Sequence, residues 1–322
     1  MISNTDLNRI GKSLEEAGSV LLFPHINPDG DAIGACIALC HGLRGLGKDC
    51  WILLESPLTS FLAFMDDGLC TTDRDVILNP DVCVCVDCSE EMRFPSRVEA
   101  FHRGKLSVCL DHHVASECPW DMYVIDNHAA AACELIYRMM TLRGWPLTGP
   151  IARALYTGIV ADTGCFRYSN TTPETHRIAA ELIELGADVN DVSVRLYQSV
   201  DPREMNVTVS ALNRMELFAG GRAAITDLST EQRLACGAGL EHTENIIDEL
   251  RNIRGVEIAA FLKEDGDAIR VSLRAKTEGN VAVIAEQFGG GGHIKAAGCT
   301  MEKPLERARS LLKEAIEKSL AD

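Results

Sequence analysis

Short apolar runs alternate with longer segments of helical periodicity through the first half of the chain. SVLLFPH (19–25) reads as a strand. DAIGACIALCHGLRGLG (31–47) reads as a helix with small and apolar residues toward one face, closed by Gly45 and Gly47. Strands follow at CWILL (50–54) and VCVCVD (82–87), then a helix around EEMRFPSRVEAFHRG (90–104). A strand at LSVCLDHH (106–113) and a helix at AAACELIYRMMTLRG (130–144) continue the alternation. Such alternation predicts an α/β fold with a parallel sheet flanked by helices on both faces.

Beyond residue 173 the pattern becomes helical up to about Leu196, and DPREMNVTVSALNRMELF (201–218) reads as a connecting helix. Strands restart at GRAAITDL (221–228), VEIAAFLKED (256–265) and AIRVSLRAK (268–276). A helix at NVAVIAEQF (280–288) precedes the glycine run GGGGHIKAAG (289–298). The expected organisation is a catalytic domain over 1–195, a linker helix over 196–216 and a smaller C-terminal α/β domain over 217–322.

Three of the apolar strands run into polar clusters. SVLLFP leads to His25, Asp29 and Asp31; VCVCV leads to Asp87; LSVCL leads to Asp111, His112 and His113. Ligands of open α/β sheets bind beyond the carboxyl ends of the strands, so these clusters should converge on one edge.

Composition narrows the chemistry. Of 322 residues, 46% are hydrophobic and 24% charged, which is ordinary for a globular chain. No stretch approaches the length of a bilayer span, and the polar N-terminus MISNTDLNRIGKSLEE reads as an amphipathic helix rather than a secretory signal, so a cytoplasmic location is expected. The thirteen cysteines lie in apolar segments and fit a reduced protein with buried thiols. Cys83, Cys85 and Cys88 are the densest group; a zinc site there would lack a second ligand pair, and buried strand cysteines are the plainer reading. The net charge of −16 comes without a basic run, which disfavours a long nucleic acid and favours a small anionic substrate held locally.

The motifs themselves have two readings each. His25, Asp29 and Asp31 form H-x-x-x-D-x-D, a candidate metal loop that is also good turn sequence. Asp87 alone could be a strand-end cap. Asp111-His112-His113 offers adjacent imidazoles facing different ways, one for a metal and one for a substrate, with Asp111 able to orient a ring. Asp162, in ADTGCF (161–166), adds a further carboxylate. Asp29, Asp31, Asp87 and Asp162 together carry the charge that two divalent cations would balance. Two ions roughly 3.5–4 Å apart can clamp a phosphoryl group for in-line displacement. Oxygen and imidazole donors suit Mn²⁺ and also admit Mg²⁺, Fe²⁺, Co²⁺ or Zn²⁺. In the glycine run, backbone amides could close on an anion, with the dipole of a following helix behind them. Arg274, at a strand end, could pair with phosphate or be an ordinary surface arginine.

Together HINPDGDAIGA, VDCSE, LDHH, IVADTGCFRYSNTT, SLRAK and FGGGGHIKAAG resemble the DHH phosphoesterase family over nearly the whole chain, with the last two in its DHHA1 domain. The resemblance is to the NrnA-like subgroup, and it implies hydrolysis of short oligoribonucleotides, of linear dinucleotides such as pGpG or pApA, and of 3′-phosphoadenosine 5′-phosphate (pAp). It implies that His25 and Asp29 bind one metal, that Asp31, His112 and Asp162 bind another, and that Asp87 bridges them. It implies that His113 acts at the scissile phosphate. Arg274, Gly290, Gly291, Gly292 and His293 would hold the nucleotide across an interdomain cleft. No membrane partner is implied, and a homodimer stays open. Two segments depart from the family pattern: Val114-Ala115-Ser116 lacks the asparagine that commonly follows DHH, and Ala130-Ala131-Ala132 stands where serine or threonine usually precedes Cys133-Glu134. The enzymatic alternatives are a cyclic-dinucleotide phosphodiesterase and a family II inorganic pyrophosphatase, whose second domain differs. The alternative outside catalysis is an idle nucleotide-binding protein, which a lost metal ligand would mark; none is lost.

Overall fold

The computed structural model describes residues 4–59, 61–113 and 118–321. The chain divides into two compact units, Met1–Ser199 and Val200–Asp322.

The first unit runs α1 (Asn4–Glu16), β1 (Ser19–Phe23), α2 (Gly30–Gly45), β2 (Asp49–Leu53), β3 (Cys70–Thr71), β4 (Val82–Val86), α3 (Val98–Phe101), β5 (Leu106–Asp111), β6 (Met122–Ile125), α4 (Ala132–Arg143), α5 (Gly149–Asp162), α6 (Pro173–Glu184) and α7 (Val189–Tyr197). Its six strands lie in the order β3-β2-β1-β4-β5-β6, every pair parallel. The order reverses between β1 and β4, the switch point where such sheets open a crevice beyond their carboxyl ends. Strand β4 (VCVCV) is buried along its whole length, which is why it reads as an unbroken apolar run.

One face of the sheet carries the larger core, built from α1, α2, α4 and α5 through residues such as Leu14, Ile33, Ile37, Leu135 and Leu155. The other face carries a smaller core of Phe23, Phe94, Phe101 and Trp120 with Cys83, Cys85, Cys88 and Cys109. Phe23 and Phe101 meet edge to face at 5.1 Å, and Phe101 tilts against Trp120 at 4.8 Å. The helix expected over 90–104 is broken here into turns at Glu91–Arg93 and Pro95–Arg97 followed by α3. Pro95 has no N–H and disfavours the helical conformation in the residue before it. Cys83, Cys85 and Cys88 are buried apolar residues; among the described residues no cysteine joins a group able to hold a metal.

The second unit runs α8 (Pro202–Leu212), β7 (Glu216–Phe218), β8 (Ala223–Leu228), α9 (Thr230–Ala235), α10 (Ile246–Asn252), β9 (Ile258–Asp265), β10 (Ala268–Ala275), α11 (Val281–Glu286), β11 (Gly291–His293), β12 (Ala296–Glu302) and α12 (Leu305–Ala321). Its strand order is β11-β12-β10-β9-β8-β7, antiparallel except for the parallel pair β8–β9. Helices α11 and α12 pack on one face, and α8 and α10 on the other. Val207 and Ala211 of α8 are buried against Ala224 and Leu228, so this helix is an integral part of the second unit's core. No described helix is long and apolar enough to cross a membrane.

The expected helix behind the glycine run is absent, and the segment is a β-hairpin. Gly291 pairs with Gly298, Gly292 with Ala297 and His293 with Ala296. A Cβ on Gly290 would lie 2.2 Å from the Gly298 carbonyl oxygen, and Gly292 has φ 139°. The glycines therefore serve close strand approach and left-handed backbone, and no helix dipole stands behind them.

Candidate metal centre

The ends of β1, β4 and β5 and the end of α5 bring their polar side chains to the same place. Three groups of side chains each bring ligand atoms within 4.8 Å of one another: His25, Asp29 and Asp87; Asp31, His112 and Asp162; and Asp87, His112 and His113.

Asp29 and Asp31 are positioned by helix termini. Asp29 is the N-cap of α2, and its Oδ1 accepts from the Asp31 and Ala32 amides, both at 3.0 Å. Its Oδ2 remains on the side of His25 Nε2, at 3.9 Å. Asp31 is buried and caps a different helix. Its Oδ2 accepts from the Ala132 amide at 2.6 Å and its Oδ1 from Cys133 at 3.0 Å, at the N-terminus of α4. Ala131, the N-cap of α4, has no side chain able to do this. The cap of α4 is thus a carboxylate supplied by α2.

Asp87 follows β4 directly and is buried, with φ 60°. Left-handed backbone at a non-glycine residue is strained, and strain of this kind gathers at functional sites. Its two oxygens face different groups. Oδ2 is 3.5 Å from His25 Nε2; Oδ1 is 3.3 Å from His112 Nε2 and 3.4 Å from His113 Nδ1. Oδ1 is buried without a hydrogen-bond partner.

The two histidines after β5 have separate anchors. His112 Nδ1 lies 3.2 Å from the Ala129 carbonyl oxygen, to which it can only donate, so Nε2 is turned toward Asp31 Oδ2 at 3.8 Å and Asp162 Oδ2 at 3.6 Å. His113 Nδ1 lies 2.8 Å from Asp111 Oδ1, which also accepts the His113 amide. The contact with Asp111 sets the orientation of the His113 ring. Asp162 ends α5, where the helix dipole disfavours an anion unless a cation is near. Asn170 donates to the Ala130 and Asp162 carbonyls at 2.9 and 3.2 Å, tying the loop beside His112 to the end of α5. Buried Arg97 donates to the Leu53 and Pro24 carbonyls at 2.6 and 2.9 Å and so fixes the end of β1 just before His25.

The electrostatics are those of crowded carboxylates. Burial, then the neighbouring Asp87 and Asp162 charges, push Asp31 well up. Burial raises Asp162 to about 6, although His112 pulls against it. Burial would lower His112, but Asp87, Asp31 and Asp162 outweigh it and lift the ring to about 10. Burial likewise opposes Asp87, yet its contacts with His112 and His25 hold it well below the usual carboxylate range. The contact with Asp111 raises His113. Imidazolium charge thus fills the role that divalent cations take when carboxylates and neutral imidazoles converge. The unpartnered Asp87 Oδ1 and the aimed His112 Nε2 fit metal ions at this site.

The structure thus brings together His25, Asp29, Asp31, Asp87, His112, His113 and Asp162. Arg274, Gly290, Gly291, Gly292 and His293 lie in the second unit. There Arg274 pairs with Ala296 and Ala296 with His293, placing arginine and histidine in one row on one face of the sheet. Residues 114–116, one of the two departures from the family pattern, lie outside the described residues. The capping of α4 by Asp31, the Asn170 bridge and the Arg97 clasp carry no local signal in the sequence.

Residues 19–159 match the DHH family, N-terminal domain, and residues 237–321 match the DHHA1 domain. Over 306 residues, 94% of this chain and 90% of the relative, the chain is 30% identical to the bifunctional oligoribonuclease and PAP phosphatase NrnA of Thermus thermophilus. An exopolyphosphatase-related protein from Bacteroides fragilis has the same fold, with a TM-score of 0.94 over 99% of this chain and 97% of that one at 24% identity. RecJ from Thermus thermophilus, solved in complex with Mn²⁺, shares the fold more distantly. Its TM-score is 0.57 at 14% identity, over 98% of this chain and 55% of that one.

Proposed function

The chain belongs to the DHH family in its DHH–DHHA1 form, and from that premise we propose that it is a two-metal enzyme hydrolysing very short oligoribonucleotides to mononucleotides and pAp to AMP. Phosphoester hydrolysis dependent on divalent metal is the family's chemistry, and every ligand position of the family motif is filled here. The substrate class follows the oligoribonuclease and PAP phosphatase named for the relative from Thermus thermophilus.

The observation that carries the two-metal reading is Asp87, a buried carboxylate whose two oxygens face two different ligand groups. His25 and Asp29 with one Asp87 oxygen would hold the first ion; Asp31, His112 and Asp162 with the other would hold the second. Mn²⁺ suits this mixture of oxygen and imidazole donors. When bound, the two ions supply charge neutralisation at the phosphoryl oxygens and an activated water.

The chain's own residues do the rest. Asp29 and Asp31 are pre-set by the amides of α2 and α4, so little reorganisation is needed on loading. His113, oriented through Nδ1 by Asp111 and beside Asp87, is the group placed to hand a proton to the leaving oxygen. In the second unit, Arg274 and His293 bind the nucleotide and its terminal phosphate, with Gly290, Gly291 and Gly292 alongside. Thirteen unpaired cysteines fit a reducing, cytoplasmic setting.

Asp87→Ala tests the assignment. Turnover should be abolished and bound metal, counted by plasma mass spectrometry, should fall, while circular dichroism stays that of the wild type. Wild-type turnover by Asp87→Ala would overturn the two-metal reading.

A further inference from the structure

The lysine of the glycine motif invites a reading as a phosphate ligand, yet its ammonium group points elsewhere. Lys295 Nζ donates to the Thr277 carbonyl and, at 3.0 Å, to the Gly279 carbonyl. The opposite side of the same turn is held by Glu257, at the foot of β9. Its Oε1 accepts from the amides of Thr277, Glu278 and Gly279 at 2.8, 2.7 and 2.8 Å, and its Oε2 accepts from the Thr277 hydroxyl at 2.6 Å. Gly279 has little room to move, since a Cβ there would lie 3.1 Å from Ile258 and 3.2 Å from Ala275.

This turn is bonded at both ends to the tip of the β11–β12 hairpin. The Ala275 amide donates to the Lys295 carbonyl and the Val281 amide to the Ile294 carbonyl, both at 2.9 Å. Ile294 and Lys295 are the two residues that connect His293 to its partner Ala296. Arg274 directly precedes Ala275 and pairs with the same Ala296. The place of His293 relative to Arg274 therefore depends on a turn gripped by a carboxylate on its amide side and an ammonium on its carbonyl side.

We propose that Lys295 and Glu257 are positioning residues for substrate binding, clamping the 277–279 turn so that Arg274 and His293 keep the spacing that grips a terminal phosphate. The inference rests on the reading of Arg274 and His293 as phosphate-binding residues. Neither Lys295 nor Glu257 touches the substrate. Charge-assisted bonds to backbone are among the stronger hydrogen bonds, which suits a spacing role that a neutral side chain would fill poorly.

The full-length Mn²⁺-loaded protein with a 5′-phosphorylated dinucleotide provides the test. Lys295→Met should raise KM on the order of tenfold with kcat within about twofold, as expected when binding is loosened and chemistry is spared. Metal content should equal that of the wild type. Hydrogen exchange should quicken at residues 277–279 and 289–296, and Lys295→Arg should recover most of the affinity. Glu257→Ala should reproduce both the KM rise and the faster exchange.

Arg274→Ala serves as the control for the underlying reading. If it raises KM while Lys295→Met leaves KM unchanged, the positioning inference is wrong and the substrate reading stands. A KM rise in Lys295→Met with wild-type exchange would make Lys295 a direct phosphate ligand and overturn the inference. Wild-type KM in Arg274→Ala would sink the substrate reading, and the inference with it.

Discussion

Asp87 Oδ1 is buried without a hydrogen bond, its charge met only by the His112 and His113 rings at 3.3 and 3.4 Å, a local cost that a bound cation would relieve. The same residue bears left-handed backbone, a second local penalty at one position. His113 differs in kind: Asp111 takes its Nδ1 and its amide and so orients the ring beside the centre. His113→Ala should therefore keep near-normal metal content while kcat falls on the order of 10²–10⁴, the usual worth of general acid–base catalysis. Loss of an ion from this variant would make His113 a ligand, a role its place beside Asp87 and His112 also allows. The histidines and carboxylates were legible in the sequence because each follows a run of strand-forming residues and cannot itself be core. The anchors were not. Asp31 capping α4 and Asn170 reaching Ala130 are contacts between residues far apart in the chain, and no local pattern encodes them.

At the level of elements, Asp31 and Asp162 meet because α2 and α5 pack on small residues. A Cβ on Gly34 would lie 2.5 Å from the Ala154 carbonyl oxygen, and one on Gly158 would lie 2.3 Å from Cys133 Sγ and 3.0 Å from Asp31 Oδ1. Gly158→Val should cost about 1–3 kcal/mol by overpacking and should weaken metal binding at Asp31 and Asp162. Thermal melts with and without Mn²⁺ would show a lower melting temperature and a smaller metal-induced rise. The parallel strands were readable as apolar runs, and α2 from its helical periodicity. The glycine segment, which by sequence suits the approach to a helix, forms a hairpin instead. Its alanines and glycines suit both, and only the pairing of β12 with β10 decides between them. The turn beside that hairpin carries a pH signature. Burial would raise the Glu257 carboxyl, but the Gly279 amide, the Thr277 hydroxyl and amide and the Glu278 amide prevail and bring it down to about 2. A carboxyl lowered on folding adds stability above its unfolded value, near 4.5, and that stability is lost as pH falls from there toward about 2. The difference in melting temperature between wild type and Glu257→Gln should be full at pH 6 and shrink as the pH drops below about 4.5. A difference constant over that range would show that Glu257 is not held as its hydrogen bonds indicate.

For the whole molecule, the balance of charge bears on substrate length. With a net charge of −16 and no basic run, little of the surface can neutralise the phosphates of a long strand. A substrate of few phosphates, held locally, suits such a surface. The division into two units was foreshadowed by the restart of strands after a long helical stretch. The membership of α8 in the second unit was not, because its buried face, Val207 and Ala211, is short and set among polar residues. Metal-dependent hydrolysis should therefore be confined to very short nucleotides. Its most direct test is the hydrolysis of a 5′-phosphorylated dinucleotide and of an RNA of about 24 nucleotides, side by side with Mn²⁺, then with EDTA, then with Mn²⁺ restored. kcat/KM should be much higher on the dinucleotide, with silence in EDTA and recovery on return of Mn²⁺. Equal efficiency on the two lengths, or turnover that survives EDTA, would contradict it.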